Sequence, residues 1–134
     1  ERTPEIVEQV VERLGLAAVR HQPARTLSTA TLRLVELGRA LCTRPTVLML
    51  DEPASGLDDE ENALLQRVLV DLAADGLAVL LVEHDLALVR AVANQVYAME
   101  RGRVVAHGAA DELLTDPTLV ARLGGMRLRS RGLA

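Results

Sequence analysis

The chain has 134 residues, of which 49% are hydrophobic, and 15 basic against 19 acidic side chains leave it a formal net charge of -4. That is one globular domain's worth of sequence, long enough to bury a core. An acidic balance argues against a nucleic-acid partner, which calls for a basic face, and no apolar run approaches the roughly 20 residues of a membrane-crossing helix.

Finer features of the composition narrow the reading. Tyr97 is the sole aromatic residue, so stacking on a base or an adenine ring would rest on one side chain or on a partner. Cys42 is also alone, which excludes an internal disulfide; in an apolar helical pattern it predicts a small buried side chain and a reducing compartment. No charged-then-apolar leader opens the sequence, so it reads as a soluble chain. Every basic residue is Arg, so the phosphate-binding pattern G-x-x-x-x-G-K-[ST] cannot occur within these residues.

In chain order, Thr3 to Gly15 reads as an amphipathic helix: Thr3 can cap, Pro4 suits the first helical position, Ile6, Val7, Val10, Val11 and Leu14 make one apolar face, and Gly15 stops it. Residues 17 to 26, with His21 and Pro23, carry turn residues without a sustained period and read as a loop that exposes His21. Leu27-Ser28-Thr29-Ala30-Thr31 then opens a second helical pattern through Leu32, Val35, Leu37 and Leu41. Ser28 stands at the N-cap, where it either serves as an ordinary cap or belongs to an anion site made by the free N–H groups of the helix start.

Val47 to Leu50 is a short unbroken apolar run between Pro45 and Pro53, which suits a strand buried on both faces of a parallel sheet. Asp51 and Glu52 leave its C-terminal end, where ligands bind in open α/β sheets. They are either solvated acids or a pair for phosphoanhydride hydrolysis, one holding Mg²⁺ and the other polarising water. Asp58 and Glu61 then make a capping-box pair for a helix through about Ala74, with Leu64, Leu65, Val68, Leu69 and Leu72 on its buried face and Gly76 at its end. The acids from Asp58 to Glu61 suit a helix N-terminus better than a metal site.

Leu77 to Val82 repeats the design of the first strand and delivers Glu83-His84-Asp85 to the same sheet edge as Asp51 and Glu52. Asp85 can cap a helix from Leu86 to Asn94. A hairpin follows, Val96 to Met99 against Val104 to His107 around Arg101-Gly102. One short helix is expected near Ala110 to Leu114, and another behind Asp116 as cap and Pro117 as first residue. The tail from Met126, with Arg127, Arg129 and Arg131, reads as a solvated end rather than a lipid contact.

The string Val-Leu-Met-Leu-Asp-Glu-Pro-Ala-Ser-Gly-Leu-Asp, Val47 to Asp58, resembles the Walker B motif and D-loop of ABC-type ATPases. Leu27 to Thr31 resembles the ABC signature, usually Leu-Ser-Gly-Gly-Gln, with Thr29, Ala30 and Thr31 in place of Gly, Gly and Gln, and Glu83-His84-Asp85 resembles the H-loop. The resemblance runs from about Glu1 to Gly125. It is strongest to ATP-binding subunits of branched-chain amino-acid importers, through Gln22-Pro23-Ala24, Val35-Glu36-Leu37, Leu81-Val82-Glu83-His84-Asp85 and Asp116-Pro117.

The resemblance implies an α/β architecture, a partial RecA-like P-loop NTPase fold forming the C-terminal half of an ABC nucleotide-binding domain without the P-loop strand. Residues 1–45 would be the end of the helical subdomain with the signature and its helix. Residues 46–94 would carry Walker B, D-loop and H-loop, 95–125 the C-terminal hairpin and short helices, and 126–134 a tail. It further implies that Asp51 binds Mg²⁺ through water, Glu52 activates the attacking water and His84 contacts the γ-phosphate. Ser28, Thr29 and Ala30 would contact ATP held by an opposite subunit, and Asp58 would act across the dimer interface.

The cofactors so implied are ATP and Mg²⁺, and the partners are membrane permease subunits and a second ATP-binding subunit, identical or different, on the cytoplasmic face of the cell membrane. ATPase activity is implied only for a chain completed by a P-loop half. The alternative is a non-hydrolysing remnant or pairing module with a degraded signature. The signature glycines of the family let backbone N–H groups approach phosphate, so a Cβ at Ala30 is expected to obstruct, and to cost roughly 1 kcal/mol if φ there is positive.

Overall fold

The computed structural model describes residues 3–124. They fall into two compact units divided between Val82 and Glu83. The first contains helix α1 (Thr3–Arg13), two 3₁₀ turns (Ala17–Val19 and Ala24–Thr26), helix α2 (Thr29–Leu41), strand β1 (Val47–Asp51), helix α3 (Asp59–Ala74) and strand β2 (Ala78–Val82).

Gly15 ends α1 in the left-handed region at φ +67°, a conformation that glycine adopts without a Cβ penalty. The α1 stripe runs through Val10, Val11 and Leu14, whereas Val7, expected on that face, is 39% exposed. Gly38 lets α2 approach α1 closely: a Cβ there would lie 3.1 Å from Leu14 Cδ1 and 3.2 Å from Val10 Cγ1. The segment expected as plain loop holds two single 3₁₀ turns, the second closed by the Thr26 N–H donating to the Pro23 carbonyl at 2.9 Å. His21 is exposed in it. Cys42, expected to be buried, is half-buried, because it caps the C-terminus of α2 instead of lying on the helix's core face.

β1 and β2 pair in parallel, with Leu48 opposite Val79, Met49 opposite Leu80 and Asp51 opposite Val82. Side chains alternate along a strand, so Leu48, Leu50 and Val79 share one face of this sheet, and they pack into a core with Leu14, Leu16, Leu34, Leu37, Val68 and Leu72. The other face carries Val47, Met49, Leu80 and Val82, which are 53%, 72%, 53% and 56% exposed. This corrects the expectation of a strand buried on both faces: the core of this unit forms against one face only. Nor does either strand have a second strand partner among the described residues.

The second unit contains helix α4 (Leu86–Val92), strands β3 (Gln95–Glu100) and β4 (Arg103–Ala109), and helices α5 (Ala110–Leu113) and α6 (Pro117–Gly124). α4 ends two residues before the expected Asn94. β3 and β4 form the expected antiparallel hairpin, turning through Arg101 at φ 50° and Gly102 at φ 76°, the positive pair that a two-residue hairpin turn requires. The register shifts between Ala98 and Met99. Arg90 donates to the Leu114 carbonyl, and Arg122 reaches Glu100 at 2.6 Å. Asp116 caps α6 as expected, its carboxylate accepting the Thr118 N–H at 2.8 Å. The 126–134 tail lies outside the described residues.

Candidate functional site

Asp51 is the last residue of β1 and is exposed. The next residue prolongs the ladder by one bond, the Glu52 N–H donating to the Val82 carbonyl at 2.9 Å, and there the strand conformation stops. Glu52 has φ 44°, in the left-handed region, immediately before Pro53. A residue before proline favours extended backbone, and a non-glycine residue with positive φ is strained by roughly 1–3 kcal/mol. The conformation is held from both sides: the N–H of Glu52 is fixed by β2, and its carbonyl accepts the Ser55 N–H at 3.1 Å. Pro53 is buried behind it, and Gly56 at φ 81° turns the chain towards Asp58. Two exposed carboxylates therefore leave one strand end on consecutive residues, the second displaced from the strand's alternation. Nothing in the Glu-Pro pair announces this left turn, because the same pair normally reads as extended chain.

Asp58 is bound into a capping box. Its carboxylate accepts the Glu61 N–H at 2.9 Å, and the Glu61 carboxylate accepts the Asp58 N–H at 3.1 Å. Ser28 is a simpler cap: its Oγ accepts the Thr31 N–H at 3.2 Å and lies 3.0 Å from Thr31 Oγ1. The first N–H groups of any helix have no acceptor within the helix, so Thr29 and Ala30 present theirs at this end. Ala30 is 8% exposed and lies on the core face of α2 with Leu34, Leu37 and Gly38. Its φ is not positive, so the expected conformational cost does not arise, and its Cβ is turned into the fold. The Thr31 hydroxyl is within hydrogen-bond reach of Ser28 Oγ, so it joins the cap.

His84 belongs to the second unit, in a turn with two local caps. The Glu83 carboxylate, whose side chain is 1% exposed, accepts the N–H of His84 at 2.9 Å and that of Asp85 at 3.2 Å. Asp85 caps α4, accepting the N–H groups of Ala87 at 2.9 Å and Leu88 at 3.3 Å. The His84 ring is 48% exposed, with Nδ1 3.7 Å from the Glu83 carboxylate. Sequence reasoning found the Asp85 cap but missed Glu83, which looked like one more acid at a strand end.

Among the described residues no group of three or more His, Cys, Asp or Glu side chains could hold a metal ion. The donor set present suits Mg²⁺, a hard cation that takes one or two carboxylates and completes its shell with water and substrate phosphates. Asp51 offers such an oxygen.

The first unit is thus of mixed α/β fold, with two acids at the exit of β1 and a serine cap at the start of α2. Residues 2–55 match the family described as ABC transporter. The chain is 32% identical over 111 residues to the high-affinity branched-chain amino acid transport ATP-binding protein LivG of Salmonella typhimurium, covering 82% of this chain and 44% of LivG. It is 38% identical over 111 residues to the zinc import ATP-binding protein ZnuC of Halorhodospira halophila, covering 82% and 43%. The ADP conformation of MJ1267, an ATP-binding cassette of an ABC transporter, superposes with a TM-score of 0.81 at 31% identity, covering 90% of this chain and 49% of that one. The chain belongs to the ABC transporter ATP-binding family and has part of its P-loop NTPase fold. It spans about half the length of the relatives it matches. No described helix is long and apolar enough to cross a membrane.

Proposed function

We propose that this chain supplies the hydrolytic and signature half of an ATPase that powers an ABC importer from the cytoplasmic face of the membrane. The observation that carries the reading is the end of β1, where Asp51 and Glu52 leave one strand on consecutive residues and Glu52 is held in a strained left-handed conformation. Strain kept by bonds on both sides is a mark of a position shaped by function.

In this reading Asp51 holds Mg²⁺ through a water molecule, and the bound ion would offset charge on the ATP phosphates. Glu52 accepts a proton from the attacking water. His84 contacts the γ-phosphate. Ser28, with the amides of Thr29 and Ala30, contacts ATP bound by a second ATP-binding subunit, and Asp58 acts across that subunit interface while also capping α3. The P-loop that cradles the phosphates must come from residues other than these, since this sequence has no Lys. Because the Ala30 Cβ is turned into the fold, the substituted signature is compatible with a working site, which weighs against the pairing-module alternative.

The proposed cargo is branched-chain amino acids, supported by the likeness to LivG and by the motifs around Gln22-Pro23-Ala24 and Leu81 to Asp85. In the full-length gene product assembled with its permease, Glu52→Gln should leave ATP binding intact and lower turnover by at least ~100-fold, as expected on losing a general base. Unchanged hydrolysis would overturn the assignment. Uptake of labelled leucine against zinc then tests the cargo, since the ZnuC relative is a zinc import protein.

A further inference from the structure

We propose that Glu83 is the positioning residue for His84. The inference rests on the γ-phosphate role given to His84 above. Its own basis is local: a single carboxylate oxygen, on a side chain 1% exposed, accepts two consecutive backbone N–H groups, those of His84 at 2.9 Å and Asp85 at 3.2 Å. A buried carboxylate strongly prefers to keep such donors, because losing them leaves charge in a medium that solvates it poorly. The two bonds fix both peptide planes that flank the His84 Cα.

The next residue continues the arrangement. Asp85 accepts the N–H groups of Ala87 and Leu88, so the chain leaving this turn is tied to the start of α4. The His84 imidazole is half-exposed, with Nδ1 3.7 Å from the Glu83 carboxylate. A ring carried on a backbone fixed on both sides keeps its reach to a ligand atom, and misplacement of about 1 Å lowers a rate by one to two orders of magnitude. Glu83 therefore serves turnover without touching ATP.

The test is made in the full-length gene product assembled with its partners, with ATPase kinetics and amide hydrogen exchange measured together. Glu83→Ala should lower kcat about tenfold while KM for ATP stays within about twofold. Glu83→Gln retains an oxygen able to accept both N–H groups and should restore most of the loss. Glu83→Ala placed on His84→Ala should add nothing beyond about twofold, because a residue acting through the imidazole has nothing left to position. Exchange at the His84 and Asp85 amides should rise in Glu83→Ala and not in Glu83→Gln. Additive losses, a Gln variant as damaged as the Ala variant, or a loss confined to KM would overturn the proposal. If His84→Ala leaves turnover unchanged, the role given to His84 fails, and the positioning claim is then decided by exchange alone: unaltered protection of residues 84 and 85 in Glu83→Ala overturns it.

Discussion

The two faces of the β1–β2 sheet are built from the same kind of residue and meet opposite surroundings. Leu48, Leu50 and Val79 close against α-helical side chains, while Val47, Met49, Leu80 and Val82 are all more than half exposed. In the sequence the two strands are unbroken apolar runs, the pattern of strands covered on both faces. The difference teaches that the sequence of this sheet is written for a fuller enclosure than the first unit supplies. Within the first unit no element covers the second face, and neither strand has a further strand partner among the described residues.

The sharpest way to test that asymmetry is to truncate one residue on each face of the 134-residue chain. Leu48 is 4% exposed, and Leu48→Ala should cost about 3 kcal/mol in urea unfolding, through lost burial and an unfilled cavity. Met49 is 72% exposed, and Met49→Ala should cost less than about 0.5 kcal/mol. Equal costs would show that Met49 is covered in solution.

Exposure of that second face also predicts behaviour. An apolar surface beside unpaired strand edges favours association, so the 134-residue chain should sediment as larger species, with light scattering that rises with concentration. Met49 and Leu80 are register partners, so Met49→Lys with Leu80→Glu places opposite charges side by side on that face. The double variant should shift the chain towards monomer with little loss of secondary structure. If association persists unchanged, a different surface drives it.

How much of this was legible beforehand depends on what each feature rests upon. Element limits set by local chemistry could be read directly: the Asp58–Glu61 box and the Asp116-Pro117 start of two helices and the Arg101-Gly102 hairpin turn act over three or four residues, and the structure shows each of them. Family membership was legible too, because Val47 to Asp58 is a long specific string. Features that depend on distant partners were not. The left-handed Glu52 arises from a ladder bond to Val82, and the inward Ala30 Cβ follows from how α2 packs. The half-covered sheet depends on what packs beside it, which no single run of residues encodes.

The helix starts and the strand exit differ in a smaller, measurable way. Asp58→Ala breaks the charged, reciprocal cap of α3 and should cost about 1–1.5 kcal/mol, whereas Ser28→Ala removes one neutral acceptor and should cost about 0.5–1 kcal/mol. At the exit of β1 the sign reverses. Glu52→Gly relieves a positive φ and should stabilise the first unit by about 0.5–1 kcal/mol in urea unfolding, although it removes the proposed base. A destabilised Gly variant would show that the Glu52 side chain contributes more to folding than its backbone strain costs.

The smallest effects come from two exposed ion pairs, one in each unit. Glu8 is held below the usual carboxylate range chiefly by its hydrogen bonds from Arg20, and Glu100 by its hydrogen bond from Arg122 with a further coulombic pull from the same guanidinium. A carboxylate whose folded pKa is depressed adds stability above its unfolded pKa and loses it as pH falls through the lowered folded value. Both pairs should therefore weaken only on acidification below about pH 4, and not between pH 6 and 8. Their exposure to water makes the contribution small and sensitive to salt. Carboxylate titration followed by carbon NMR should show Glu100 moving up towards the ordinary range in Arg122→Ala with Glu8 unmoved, and the converse in Arg20→Ala. If either substitution shifted both carboxylates, the two pairs would be coupled through more than their own contacts.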